Sequence, residues 1–146
     1  MSLSDQLLAD DVRPAVTADL VEVVGQEVGD KKGISGTAVK AAYAAARKVV
    51  PDLAPRAVGS LLPGFAAALD PFWDGFQSSG GGDFGGYLAG RGPEAAAALL
   101  AVTDARAESS SKEPLKKAYG ALRGKAGGHV EAALPRLGRA LQRHAS

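Results

Sequence analysis

Apolar residues recur along the chain at helical spacing. Between residues 12 and 28, Val12, Val16, Leu20, Val23, Val24 and Val28 fall at steps of three, four and seven, the signature of one helix face. Gly29 and Gly33 bracket a polar turn that closes this helix. Val39, Tyr43, Ala46 and Val50 form the next stripe, over 37–50, with Thr37 as its N-cap. Leu53, Ala57, Leu61, Phe65 and Leu69 form a third, over 53–69, with Asp52 before it. Further on, 93–107 is helical with Ala95, Ala98, Leu99 and Val102 inward. Ser110 to Glu113 reads as a capping box before a helix over 114–125, and a last helix covers 129–143. No alternating strand pattern interrupts the series, so the expected class is all-α.

The pattern also repeats. Residues 40–47 read KAAYAAAR and residues 116–123 read KKAYGALR, matching at five of eight positions. Residues 58–69, VGSLLPGFAAAL, match residues 130–141, VEAALPRLGRAL, at five of twelve, Leu62-Pro63 against Leu134-Pro135 included. Upstream, Pro14 to Val24 aligns with Pro93 to Thr103, placing Leu20 on Leu99 and Val23 on Val102. The expected architecture is a single domain of two similar helical halves, 3–73 and 84–146, related by an approximate two-fold axis and joined by a glycine-rich linker over 74–83. Pro63 and Pro135 fall inside apolar helical runs. An interior proline lacks a donor and clashes with the preceding turn, so each is expected to kink the helix or head a new segment.

Composition narrows the chemistry. The 146 residues include 29 Ala and 19 Gly, one Ile (Ile34), no Asn and no Cys. Disulfides, Cys-ligated zinc and thiol catalysis are thereby excluded. The N-terminus lacks the basic start and apolar run of a secretory signal, and the longest apolar stretch, 95–102, is far short of the about 20 residues a spanning helix needs. A cytoplasmic protein is the expectation. The two histidines, His129 and His144, show neither His-Glu-x-x-His nor Glu-x-x-His spacing. The acids Asp10, Asp11, Asp19, Glu22, Glu27 and Asp30 read as a solvated helix face, so no metal and no cofactor is expected. The stretch Gly80 to Gly86 lacks the Gly-Lys-Ser/Thr of a phosphate loop, and no Gly-x-Ser-x-Gly elbow is present.

Three features remain as candidate chemistry. Lys40, Tyr43 and Arg47 share one helix face, as do Lys116, Tyr119 and Arg123; facing each other, the two triads would make a basic, aromatic-floored anion site between the halves. The alternative is that each tyrosine is core and the long basic chains reach outward. Phe72, Trp73, Phe76, Phe84 and Tyr87 gather near the linker and are expected to pack the junction. Charge is polarised: residues 1–30 carry seven acids and one base, residues 112–146 eight bases and two acids. Oppositely charged ends attract, within one molecule or across a dimer. The basic third, with Lys116, Lys117, Arg123 and Lys125, is the surface a nucleic-acid-binding reading would use.

The segments KKAYGALRGKAGGHVEAALPRLG, ALDPFW and VTDARA resemble a family of small conserved proteins from mycobacteria and other actinobacteria. The resemblance implies a cytoplasmic protein with no assigned activity and supplies no catalytic residue. A non-enzymatic interaction or structural protein, self-associating as a homodimer, is the function the sequence favours.

Overall fold

The computed structural model describes residues 2–30, 37, 40–41, 43–45, 47–48, 51–109, 111 and 113–145, the side chains at 53, 115, 118 and 122 apart. Among the described residues there is no strand. The helices with defined bounds are α1 (Leu3–Leu7), α2 (Arg13–Asp30), α3 (Leu53–Ser78), α4 (Phe84–Gly90), α5 (Gly92–Glu108) and α6 (Glu113–Gln142). The described residues between 37 and 48 are helical as well, Thr37 included. Gly33, Val39, Ala46 and Val50, and Ser110 of the expected capping box, lie outside the described residues.

Local chemistry fixes the helix starts. Ser2 caps α1: its hydroxyl accepts from Asp5 N at 3.1 Å while Ser2 N donates to the Asp5 carboxylate at 3.3 Å, satisfying two otherwise orphaned donors. Asp83 caps α4 with a single bond, accepting from Gly86 N at 3.1 Å. Pro93 sits in the first turn of α5, where its missing N–H leaves no bond unmade. Asp52 precedes α3, as its place in the sequence predicts, yet its side chain makes no capping bond.

Three expectations about helix ends are corrected. Of the two outcomes expected at Pro63 and Pro135, a kink or a new segment, the second does not occur: α3 runs on through Pro63 and Pro71, and α6 through Pro135. Leu62, Ala66 and Leu69 beside the first, and Leu134 beside the second, are all but fully buried, and that packing outweighs the lost backbone bond. The expected helices 114–125 and 129–143 are one helix, because two glycines at 127–128 cost only about 1 kcal/mol each in propensity. The linker is shorter than 74–83. Asp74 to Ser78 complete α3, with Phe76 buried, which leaves 79–83 to turn the chain. Gly80, Gly81 and Gly82 take φ of 102°, 81° and 111°, open to glycine and strained for other residues. Gln142 ties this turn to α6, donating to Gly82 O and accepting from Phe84 N, both at 2.8 Å.

One apolar cluster draws on both halves, from Leu3 and Leu7 through Val16, Leu20 and Leu62 to Trp73, Phe84, Leu88, Leu99, Leu134 and Leu141. The long helix of each half packs on its own short and middle helices, α3 on α1 and α2, α6 on α4 and α5. Each also crosses to the other half, α3 against α5 and α6 against α2. Leu20, Leu62, Leu69, Leu99, Leu134 and Leu141 are all buried. Asp70 accepts from Ser4 N at 2.9 Å, and Gln142 accepts from Phe84 N. Glycines permit the closest crossing. A Cβ on Gly138 would meet the backbone of Gly85 and Phe84, and one on Gly85 the carbonyl of Pro135.

Candidate functional site

The densest polar constellation lies on the seam between α5 and α6. These helices run antiparallel, so Thr103 and Asp104, one turn before the end of α5, face Tyr119 and Arg123 near the start of α6. The Asp104 carboxylate takes the guanidinium of Arg123 as a fork, with Nε to Oδ1 at 2.8 Å and Nη2 to Oδ2 at 3.0 Å. The Tyr119 hydroxyl donates to Asp104 Oδ1 and lies 2.8 Å from Thr103 Oγ1. A phenol has one proton. With Tyr119 donating to the carboxylate, Thr103 is the donor in their mutual contact, sharing its proton with Leu100 O at 3.0 Å. The bond from Arg123, then that from Tyr119, holds the Asp104 carboxyl below the usual carboxylate range. Burial, then the bond to Asp104, pushes the Tyr119 phenol above its ordinary value. The seam is wet, with Asp104 and Arg123 side chains 39% and 45% exposed.

The first triad is arranged differently. Lys40 and Arg47 are exposed and Tyr43 is half-buried, with the Arg47 guanidinium 5.7 Å from the Tyr43 ring centroid. Among the described residues no hydrogen bond, ion pair or ring contact joins Lys40, Tyr43 or Arg47 to Lys116, Tyr119 or Arg123. Lys116, Lys117 and Lys125 make no ion pair among the described residues, and Lys117 and Lys125 are exposed. Nothing in the sequence pattern singles out Asp104 and Thr103, although both stand in the VTDARA segment. The available signal is an acid beside a threonine on the polar face of an alanine-rich helix.

The polarised charge closes on itself in part. Arg136 bridges Glu27 Oε2 at 2.6 Å and Asp30, tying α6 to the end of α2. At the other end of α2, Asp19 Oδ2 lies 2.6 Å from His144 Nε2 and 3.7 Å from Arg143. The basic third is thus partly neutralised within the chain. Asp10, Asp11 and Glu22 make no ion pair among the described residues and remain exposed.

The aromatics pack the junction. Trp73 meets Phe84 edge-on at 5.0 Å and Phe76 at 5.4 Å, and Tyr87 lies 5.7 Å from Phe76. Among the described residues Trp73 Nε1 is the one buried side-chain polar atom without a hydrogen-bond partner. No group of three or more His, Asp or Glu among them is placed to hold a metal ion, and no described helix is long and apolar enough to cross a membrane.

Fold and site together define a small all-α protein whose polar clusters join helix to helix. The chain belongs to a family of unknown function (DUF6918), whose model matches residues 3–145. Comparison with curated proteins and with solved structures finds no match.

Proposed function

We propose that this is a non-enzymatic cytoplasmic interaction protein that self-associates through oppositely charged ends. The observation that carries this reading is the charge left over after the internal ion pairs form. Asp10, Asp11 and Glu22 stand exposed on the α2 side, while Lys116, Lys117 and Lys125 line the first half of α6. The pairing of Asp19 with His144 puts the start of α2 beside the end of α6. Lys117 lies some 25 residues back along α6, roughly 38 Å at 1.5 Å per residue. One copy therefore offers an acidic end to the basic end of another, and complementary ends steer and orient association.

Reversing the three lysines (Lys116→Glu, Lys117→Glu, Lys125→Glu) tests this by light scattering on a sizing column. Wild type is expected to gain mass with concentration at low salt, and the variant to stay monomeric. A wild type that is monomeric throughout would overturn the proposal. The same three lysines support a second reading, a nucleic-acid surface. Arg123, its fourth member, is already forked by Asp104. Salt-dependent binding of generic DNA by wild type, lost in the triple variant, would favour this second reading.

A further inference from the structure

The turn from α3 to α4 carries little of its own that would fix the angle between the two helices. Gly80, Gly81 and Gly82 are exposed, take positive φ and have no side chain to pack. Side chains on either side of the turn hold the chain instead. Gln142 clamps it from α6, accepting from Phe84 N and donating to Gly82 O. Trp73 of α3 and Phe84 of α4 stand at 90° with 5.0 Å between ring centroids. Trp73 is 2% exposed, Phe84 is fully buried, and Trp73 Nε1 has no hydrogen-bond partner among the described residues. A buried donor without an acceptor is costly, so the geometry around the indole N–H has to supply one. A buried water would need about two to four polar partners. No polar or charged side chain is buried among the described residues. The face of an aromatic ring carries partial negative charge and accepts an N–H from a neighbour set edge-on to it. Phe84 is the ring in that position, since Phe76 is only tilted to the indole, by 38°.

We propose that Trp73 donates its indole N–H to the face of the Phe84 ring, and that this bond is a latch closing the joint between α3 and α4. Gln142 is its positioning residue. The bond it accepts from Phe84 N fixes where the first turn of α4 stands, and with it the ring. Phe76 at 5.2 Å and Tyr87 at 6.4 Å back the same ring. The end of α6 thereby sets the joint between two helices that precede it in the chain.

Trp73 is the sole tryptophan, so its indole N–H gives a single resonance to follow by NMR. A proton over a ring face is shielded. In wild type the resonance is expected well upfield of an indole bonded to water, and its exchange with deuterium is expected to be slow. Phe84→Leu removes the ring and is expected to return the resonance to the ordinary indole position. Gln142→Ala is expected to move it downfield and to speed its exchange, with the circular dichroism spectrum unchanged. Gln142→Glu keeps an acceptor for Phe84 N while losing the donor to Gly82 O, and is expected to hold the resonance near its wild-type position. A wild-type resonance at the ordinary position, or one that Phe84→Leu leaves in place, would overturn the proposal. So would a cross-peak from the indole N–H to a long-lived bound water. Where Phe84→Leu does not fold, the Gln142 pair decides, and an unmoved resonance in Gln142→Ala overturns the latch.

Discussion

Asp104 governs the seam between α5 and α6, because three donors converge on it from Arg123 and Tyr119. Its folded carboxyl titrates below the ordinary range near 3.9, so the unfolded chain binds the proton first as pH falls. The stability the carboxylate contributes is therefore complete above about pH 4 and lost as pH drops through the folded value. Tyr119 works the other way: its raised phenol favours the neutral form in the fold, so its contribution declines as pH rises above about 10. Thermal melts of wild type and Asp104→Asn are expected to differ by a constant amount from neutral pH to about 4 and to converge below it. Tyr119→Phe is expected to cost about 1 kcal/mol at neutral pH by the same measurement. Glycines give a sharper contrast. Gly138→Ala forces a methyl into the backbone of Gly85 and Phe84, and urea titration is expected to show a loss of about 3 kcal/mol. Gly124→Ala meets nothing within 4 Å and is expected to gain about 1 kcal/mol.

At the scale of helices, much is legible in the sequence, and the misplaced ends of the long helices share one cause. The stripes at 12–28, 53–69 and 93–107 became α2, α3 and α5, because a face with apolar residues at helical spacing has to be buried. The ends were misread where local propensity and tertiary packing disagreed. Proline inside α3 and α6, and the glycine pair inside α6, are breakers when judged alone. They are overruled where Leu62, Leu69, Leu134 and Leu141 are buried beside them. The short helices α1 and α4 were passed over, since five and seven residues give periodicity little to show. Ser2 and Asp83, capping residues followed by a buried pair at i and i+4, were their available signal. Because packing holds the long helices, Pro63→Ala and Pro135→Ala are expected to leave helical circular dichroism within a few per cent of wild type. A rise of a full helical turn or more would mean that the prolines break their helices.

For the whole molecule, the excess of acid in the first 30 residues and of base in the last 35 was plain from the sequence, but its geometry was not. Charge arithmetic allowed pairing within one chain or between two. The structure assigns Glu27 and Asp30 to Arg136, and Asp19 to His144 and Arg143, inside one chain. The candidate site was half legible: Tyr119 and Arg123 stood out by repetition, whereas Asp104 occurs in only one half and repetition could not reveal it. The self-association through leftover charge depends on α6 crossing back onto α2 of its own chain. The chain has no cysteine, so a Glu27→Cys, Arg136→Cys variant treated with a short bis-maleimide reports that crossing directly. The fold described here predicts cross-linked product at the mass of a single chain, even in dilute solution. Cross-linked dimers in place of that product would contradict it, showing that Glu27 and Arg136 meet between molecules and not within one.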